Sequence, residues 1–166
     1  RRAINVMIGP PADPKDDARV LKLFFAKEGS HICCGGSTAH MISRYLNKPI
    51  IPVEDSGTDK VPAIATIEGM DLVTEGIITL QQVADLAEQY VSDNRLSITI
   101  NSGNDGVSLL CAYLFEQATD INFFFGKAEN TANDDLDIGM DAKAIVINRL
   151  ISSLREMGKN VKISRC

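Results

Sequence analysis

His31-Ile32-Cys33-Cys34-Gly35-Gly36-Ser37-Thr38-Ala39-His40-Met41-Ile42 changes its periodicity at the two glycines, and that change decides the fold class. Residues 31–34 form a short apolar run of strand length. Beyond the glycines, Ala39, Met41, Ile42, Tyr45 and Leu46 recur at helical spacing, so 37–47 is expected to be a helix. Adjacent strand residues point to opposite faces, so Cys33 and Cys34 suit a strand buried on both sides, where small apolar thiols pack well. Their adjacency, with no C-x-x-C spacing to Cys111 or Cys166, argues against zinc.

The same alternation continues outward from this segment. Residues 3–8 are apolar and stop at Gly9-Pro10-Pro11, because neither proline can donate to a sheet ladder. Asp13-Pro14 is an N-cap followed by proline at the first helical position. Ala18, Leu21, Leu23, Phe24 and Phe25 then give an apolar face, predicting a helix over 14–28. Downstream, 49–53 and 61–67 read as short strands around the polar turn 54–59, and 70–73 as another strand, closed by Thr74-Glu75-Gly76. Thr79 is expected to cap a helix over 80–91. The stretch 93–106 reads as a small insertion. A helix over 107–118, a strand over 121–125, a long polar loop over 126–139, a helix over 142–157 capped by Asp141, and a strand over 161–164 complete the pattern. Strands alternating with helices predict a single α/β domain over 1–166. Its sheet is mostly parallel, Rossmann-like and three-layered, with helices on both faces, and short edge strands are free to run antiparallel.

Lys and Arg number 17 against 22 Asp and Glu, and the resulting net charge of −5 argues against nucleic acid as a partner. No apolar run approaches the roughly 18–20 residues that span a bilayer, so no membrane partner is expected. The chain opens on Arg1-Arg2-Ala3 without Met, which reads as a piece of a longer protein. The apolar stretch after the twin arginine is too short for a secretory signal, so a cytoplasmic location is expected.

In open α/β sheets ligands bind beyond the carboxyl ends of the strands. Three glycine-marked turns belong there: Gly9-Pro10-Pro11, Gly35-Gly36-Ser37-Thr38 and Thr74-Glu75-Gly76. The second is the leading candidate. Two glycines let backbone approach a ligand, the following helix offers free N–H groups, and Ser37 and Thr38 add hydroxyls. It lacks the lysine of a P-loop and the G-x-G-x-x-G spacing, so the same residues also suffice merely to turn a strand into a helix. Gly9, Gly35, Gly36, Ser37, Thr38 and Glu75 are therefore the expected ligand contacts. Glu68 and Asp71 lie near Glu75 in sequence, but without a paired acid or nucleophile no catalytic residue is assigned. Asp13, Asp16 and Asp17 suit a helix start. The run 133–141 is rich in aspartate but lacks EF-hand spacing and reads as a solvated loop plus helix cap. His31 and His40 have no third ligand at metal spacing. No metal and no cofactor are expected.

Three segments in order carry a family resemblance: Ile4-Asn5-Val6-Met7-Ile8-Gly9-Pro10-Pro11 with Asp13 to Asp17, Ile32-Cys33-Cys34-Gly35-Gly36-Ser37-Thr38-Ala39-His40-Met41-Ile42-Ser43-Arg44, and Glu68-Gly69-Met70-Asp71-Leu72-Val73-Thr74-Glu75-Gly76-Ile77-Ile78-Thr79-Leu80. Together they resemble the region downstream of the phosphatase domain in bacterial proteins of the stage II sporulation protein E family. The resemblance implies a parent that is a metal-dependent serine/threonine phosphatase. Its metal-binding aspartate motifs have no counterpart here, Asn104-Asp105-Gly106 being the nearest dipeptide match, so the fragment is expected to lie outside the catalytic domain. At fold level, the strand, Gly-Gly-Ser-Thr, helix and later Glu-Gly-Met-Asp are also similar to sugar-phosphate isomerase and acyl-CoA-transferase folds, an analogy that does not fix function.

The expected role is a non-catalytic regulatory domain of such a phosphatase, binding a small anionic ligand or a protein partner, most simply the parent's phosphatase domain. The alternative is an enzyme acting on a phosphorylated small molecule with Glu75 as general base, although no base and lysine pair stands out. A homo-oligomerisation module without a ligand is the third reading.

Overall fold

The computed structural model describes residues 1–93, 103–128 and 136–166. Its first half is β1 (Ala3–Ile8), a 3₁₀ turn (Pro14–Asp16) leading into α1 (Asp17–Ala26), β2 (Ser30–Cys34), α2 (Gly36–Leu46), and the short strands β3 (Ile51–Pro52), β4 (Ala65–Thr66) and β5 (Leu72–Thr74). The second half is α3 (Ile77–Asp93), α4 (Gly106–Cys111) continued by a π-helical turn (Ala112–Gln117), β6 (Asp120–Phe125), α5 (Leu136–Glu156) and β7 (Asn160–Arg165). One seven-stranded sheet runs β3-β4-β5-β2-β1-β6-β7. Strands β5, β2, β1, β6 and β7 are mutually parallel, and β3 and β4 pair antiparallel at one edge. The fold is the expected α/β, Rossmann-like one.

Two apolar layers explain the parallel arrangement. On one face Met7, Cys33, Val73 and Phe124 pack against Val20, Leu21 and Phe24 of α1 and Met41 and Ile42 of α2. On the other, Ile4, Val6, Ile8, Ile32, Cys34, Ile121, Phe123 and Phe125 meet Leu80 and Val83 of α3, Leu110 of α4 and Ile147 and Leu150 of α5. The adjacent thiols thus point into opposite layers, as strand geometry requires. Asn5 is the fully buried polar exception within β1. Its amide donates to the carbonyls of Glu28 and Ser30, at 3.0 and 3.1 Å, and its carbonyl accepts from Asn122 at 2.9 Å, so its desolvation is matched by hydrogen bonds.

Several expectations are corrected. The strands expected over 49–53 and 61–67 shrink to two residues each, because Pro49, Pro52 and Pro62 withhold the N–H groups a longer ladder needs. Helix α3 begins at Ile77, so Thr79 lies inside it and is not its cap. Helix α5 begins at Leu136 and passes through Asp141, which is not its cap either, and this overturns the loop reading of 136–141. The sequence pattern accounts for the early start, since Leu136 and Met140 continue by fours the apolar spacing of the helix that follows. Residues 94–102 of the insertion and 129–135 of the polar loop lie outside the described residues.

The strand order turns around β1. From there the chain adds β2, passes to the far edge at β3, steps back through β4 to β5 beside β2, then crosses to the other side of β1 to lay down β6 and β7. Helices α2 and α3 start directly after β2 and β5, so their N-termini gather at the carboxyl edge beside this reversal.

Candidate functional site

A cavity of about 290 Å³ opens at that edge, and the three glycine-marked turns line it. It includes Gly9, Gly35, Gly36, Ser37, Thr38 and Glu75, so all six sequence-derived candidates come together although they stand in three separate segments. The turns interlock through backbone. A side chain on Gly126 would meet the carbonyl oxygen of Pro10 at 2.0 Å and that of Gly9 at 2.2 Å, so only glycine lets the turns after β1 and β6 cross. Gly126 N–H donates to Ile8 at 2.8 Å and Ala128 N–H to Pro10 at 3.1 Å, which brings Ala128 to the cavity wall. Gly35 has φ +113°, and its N–H donates to the Thr74 carbonyl at 2.9 Å, tying the β2 turn to the end of β5.

The N-terminus of α2 has no side-chain cap, since its N-cap is Gly35. Its first helical hydrogen bond runs from Ala39 N–H to the Gly35 carbonyl. The amides of Gly36, Ser37 and Thr38 therefore have no acceptor among the described residues, the ordinary state of an uncapped helix start and one able to meet an anion. A Cβ on Gly36 would meet nothing within 4 Å. Ser37 is exposed, whereas Thr38 is buried and turns inward to accept from Gly9 N–H.

Helix α3 is capped differently. The Glu75 carboxylate accepts from Ile78 N–H at 3.4 Å and Thr79 N–H at 3.3 Å, long bonds that leave much of its accepting capacity free. Neither of its acidic neighbours joins it. Asp71 accepts from His31 N–H at 2.7 Å, and Glu68 pairs with Lys48 at 3.0 Å, so both serve the fold elsewhere.

Lys143, from α5, also lines the cavity and was missed in the sequence. Partial burial pulls its ammonium below the ordinary lysine range, and the Glu75 charge acts in the opposite direction. The two do not form an ion pair. A signal was present: Lys143 stands three, four and seven residues before Val146, Ile147 and Leu150, on the stripe that turns inward. A carboxylate and a lysine that no local motif pairs thus share one cavity.

The remaining candidates divide cleanly. Cys34 lines the cavity, but burial pushes its thiol up to about 12 against the smaller opposing effect of a Thr74 hydrogen bond, so it stays protonated at neutral pH. Asp105 accepts from Ser108 N–H at 2.9 Å and Ser108 Oγ at 3.0 Å as the cap of α4, a structural use of the Asn104-Asp105-Gly106 turn. His31 lies edge-on to Phe24 at 4.9 Å and bonds its carbonyl at 3.0 Å. Asp13 accepts from Lys15 N–H at 3.0 Å as a helix-start cap. Among the described residues no three His, Cys, Asp or Glu side chains converge to hold a metal, and no helix is long and apolar enough to cross a membrane.

The arrangement offers an anion bare amides and one ammonium, and offers a donor group one carboxylate. No protein-family model, no curated protein and no solved structure matches the chain.

Proposed function

We propose that the chain is a non-catalytic regulatory domain of a stage II sporulation protein E family serine/threonine phosphatase. In this reading it works in the cytoplasm and binds a small anionic ligand at the carboxyl-edge cavity, tuning the neighbouring phosphatase domain. The observation that carries the ligand part is the uncapped start of α2 opening into a cavity that Lys143 also lines. Family membership rests on the three ordered sequence segments alone. Thermal unfolding against nucleotides, sugar phosphates and acyl-CoA compounds tests it, because a ligand at 100 times its Kd adds about 2.7 kcal/mol to the native state. A shift that disappears in Gly36→Val supports the site. No shift across the panel sinks the small-ligand part and turns attention to a protein partner, first the phosphatase domain.

One observation favours the second reading, an enzyme acting on a phosphorylated small molecule. Glu75 and Lys143 line one cavity, and a carboxylate and a partly desolvated lysine in the same cavity suit proton transfer. Glu75→Gln separates the two: it abolishes turnover in an enzyme and alters only binding in a sensor.

A further inference from the structure

Resting on the small-ligand reading above, we infer that the cavity takes a compact phosphate monoester of a polyol, with a hydroxyl between Glu75 and Lys143 and the phosphate at the start of α2. The first argument is size. At about 290 Å³ the cavity lies at the lower end of the roughly 300–1,000 Å³ of small-molecule sites, which suits a molecule of a few carbons.

The second argument is the pair of charges. Glu75 and Lys143 line the same cavity, and neither is paired with the other or with a further ion-pair partner among the described residues. A group lying between them must donate to a carboxylate and accept from an ammonium. A hydroxyl does both. A ligand ammonium has no lone pair for Lys143 and would face its charge, while a second anionic group would face Glu75. The wall therefore selects hydroxyls over a second charge of either sign.

The third argument concerns the other end. Gly36, Ser37 and Thr38 present three successive unbonded amides, and Gly36 brings no side chain into the space before them. The three terminal oxygens of a phosphate match that set better than the two of a carboxylate.

Calorimetric titration with glycerol 3-phosphate, inorganic phosphate, glycerate, glycerol and NAD decides the matter, on the wild type, Glu75→Gln and Lys143→Met. Glycerol 3-phosphate is expected to bind at least tenfold tighter than inorganic phosphate, with no glycerol binding at the same concentration, and either variant is expected to erase that preference. Equal affinities for phosphate and glycerol 3-phosphate, or a preference that survives both variants, overturn this inference and leave the anion reading standing. Tighter binding of glycerate overturns the phosphate assignment, and binding of NAD alone overturns the size argument. No binding by any of the five, with none in the wider panel, removes the ligand reading and this inference with it. Thermal unfolding of each variant in buffer identifies a loss caused by misfolding, and Lys143→Met carries the test if Glu75→Gln weakens the cap of α3.

Discussion

The Thr38 hydroxyl accepts a hydrogen bond from the backbone N–H of Gly9 at 2.8 Å, fastening the first turn of α2 to the turn after β1. Both groups are buried, so this bond holds two of the three turns around the cavity and leaves no easy substitute for either partner. Thr38 is thus a positioning residue. Its hydroxyl was expected to meet a ligand; the Gly9 bond takes one of its two lone pairs, and its O–H stays available at the cavity wall.

Thr38→Val keeps the shape and strands a buried N–H. It is expected to cost roughly 1–3 kcal/mol, with Thr38→Ser recovering most of the loss. Urea unfolding of the two variants checks this, and equal stabilities for Val and wild type would show that the Gly9 N–H is satisfied in another way.

Gly35 and Gly36 are adjacent, yet their substitutions are expected to diverge. Gly35 has φ +113°, so Gly35→Val strains the backbone and is expected to lower stability by about 1–3 kcal/mol. Gly36→Val points into open space, so it is expected to leave thermal unfolding within about 1 kcal/mol of wild type while filling the cavity mouth. Melting curves of the pair provide the comparison; similar losses in both would contradict the geometry.

The four cysteines are free thiols, with Cys33, Cys34 and Cys111 buried and Cys166 partly exposed. A thiol reagent is expected to modify Cys166 first and the other three only on unfolding. Burial raises Cys34 to about 12, so its native form holds its proton where an unfolded thiol, near 8.5, has lost it. This contribution to stability is fully present below about 8.5 and is lost as pH rises toward 12. Rapid modification of three or more thiols in native buffer would refute the burial pattern.

Lys143 has the opposite sign. Its folded pKa is depressed, chiefly by burial, so the unfolded chain binds its proton more tightly and the penalty of burying the ammonium is fully present at neutral pH. That penalty is relieved as pH rises from the depressed value to the ordinary lysine range. Lys143→Met is therefore expected to be more stable than wild type at pH 7, with the difference shrinking as pH rises toward the ordinary lysine range and largely gone at about pH 10.4. Guanidinium unfolding at both pH values measures it, and a less stable Met variant at pH 7 would mean that Lys143 has a stabilising partner.

Most elements were legible because each carries its own local signal. Strands β1 and β6 are apolar runs bounded by turns, and α1 has Asp13-Pro14 before a helical stripe. The misreadings share another cause. At β3 and β4 the apolar pattern was visible, but missing proline N–H groups shortened the ladders. At α3, Thr79 had the chemistry of a cap, yet the carboxylate of Glu75 took that place and left Thr79 buried inside the helix.

The order of residues was enough to require alternating strands and helices, a sheet buried on both faces and glycine turns at the strand ends, because periodicity and backbone preference act over a few neighbouring residues. Only the folded chain decided that Gly9, Gly36 and Glu75 border one space and that Lys143, far along the sequence, borders it too. Strand order and the direction of each helix set those distances. Charge, solvation and hydrogen bonding depend on distance through space, which no local pattern in a chain encodes.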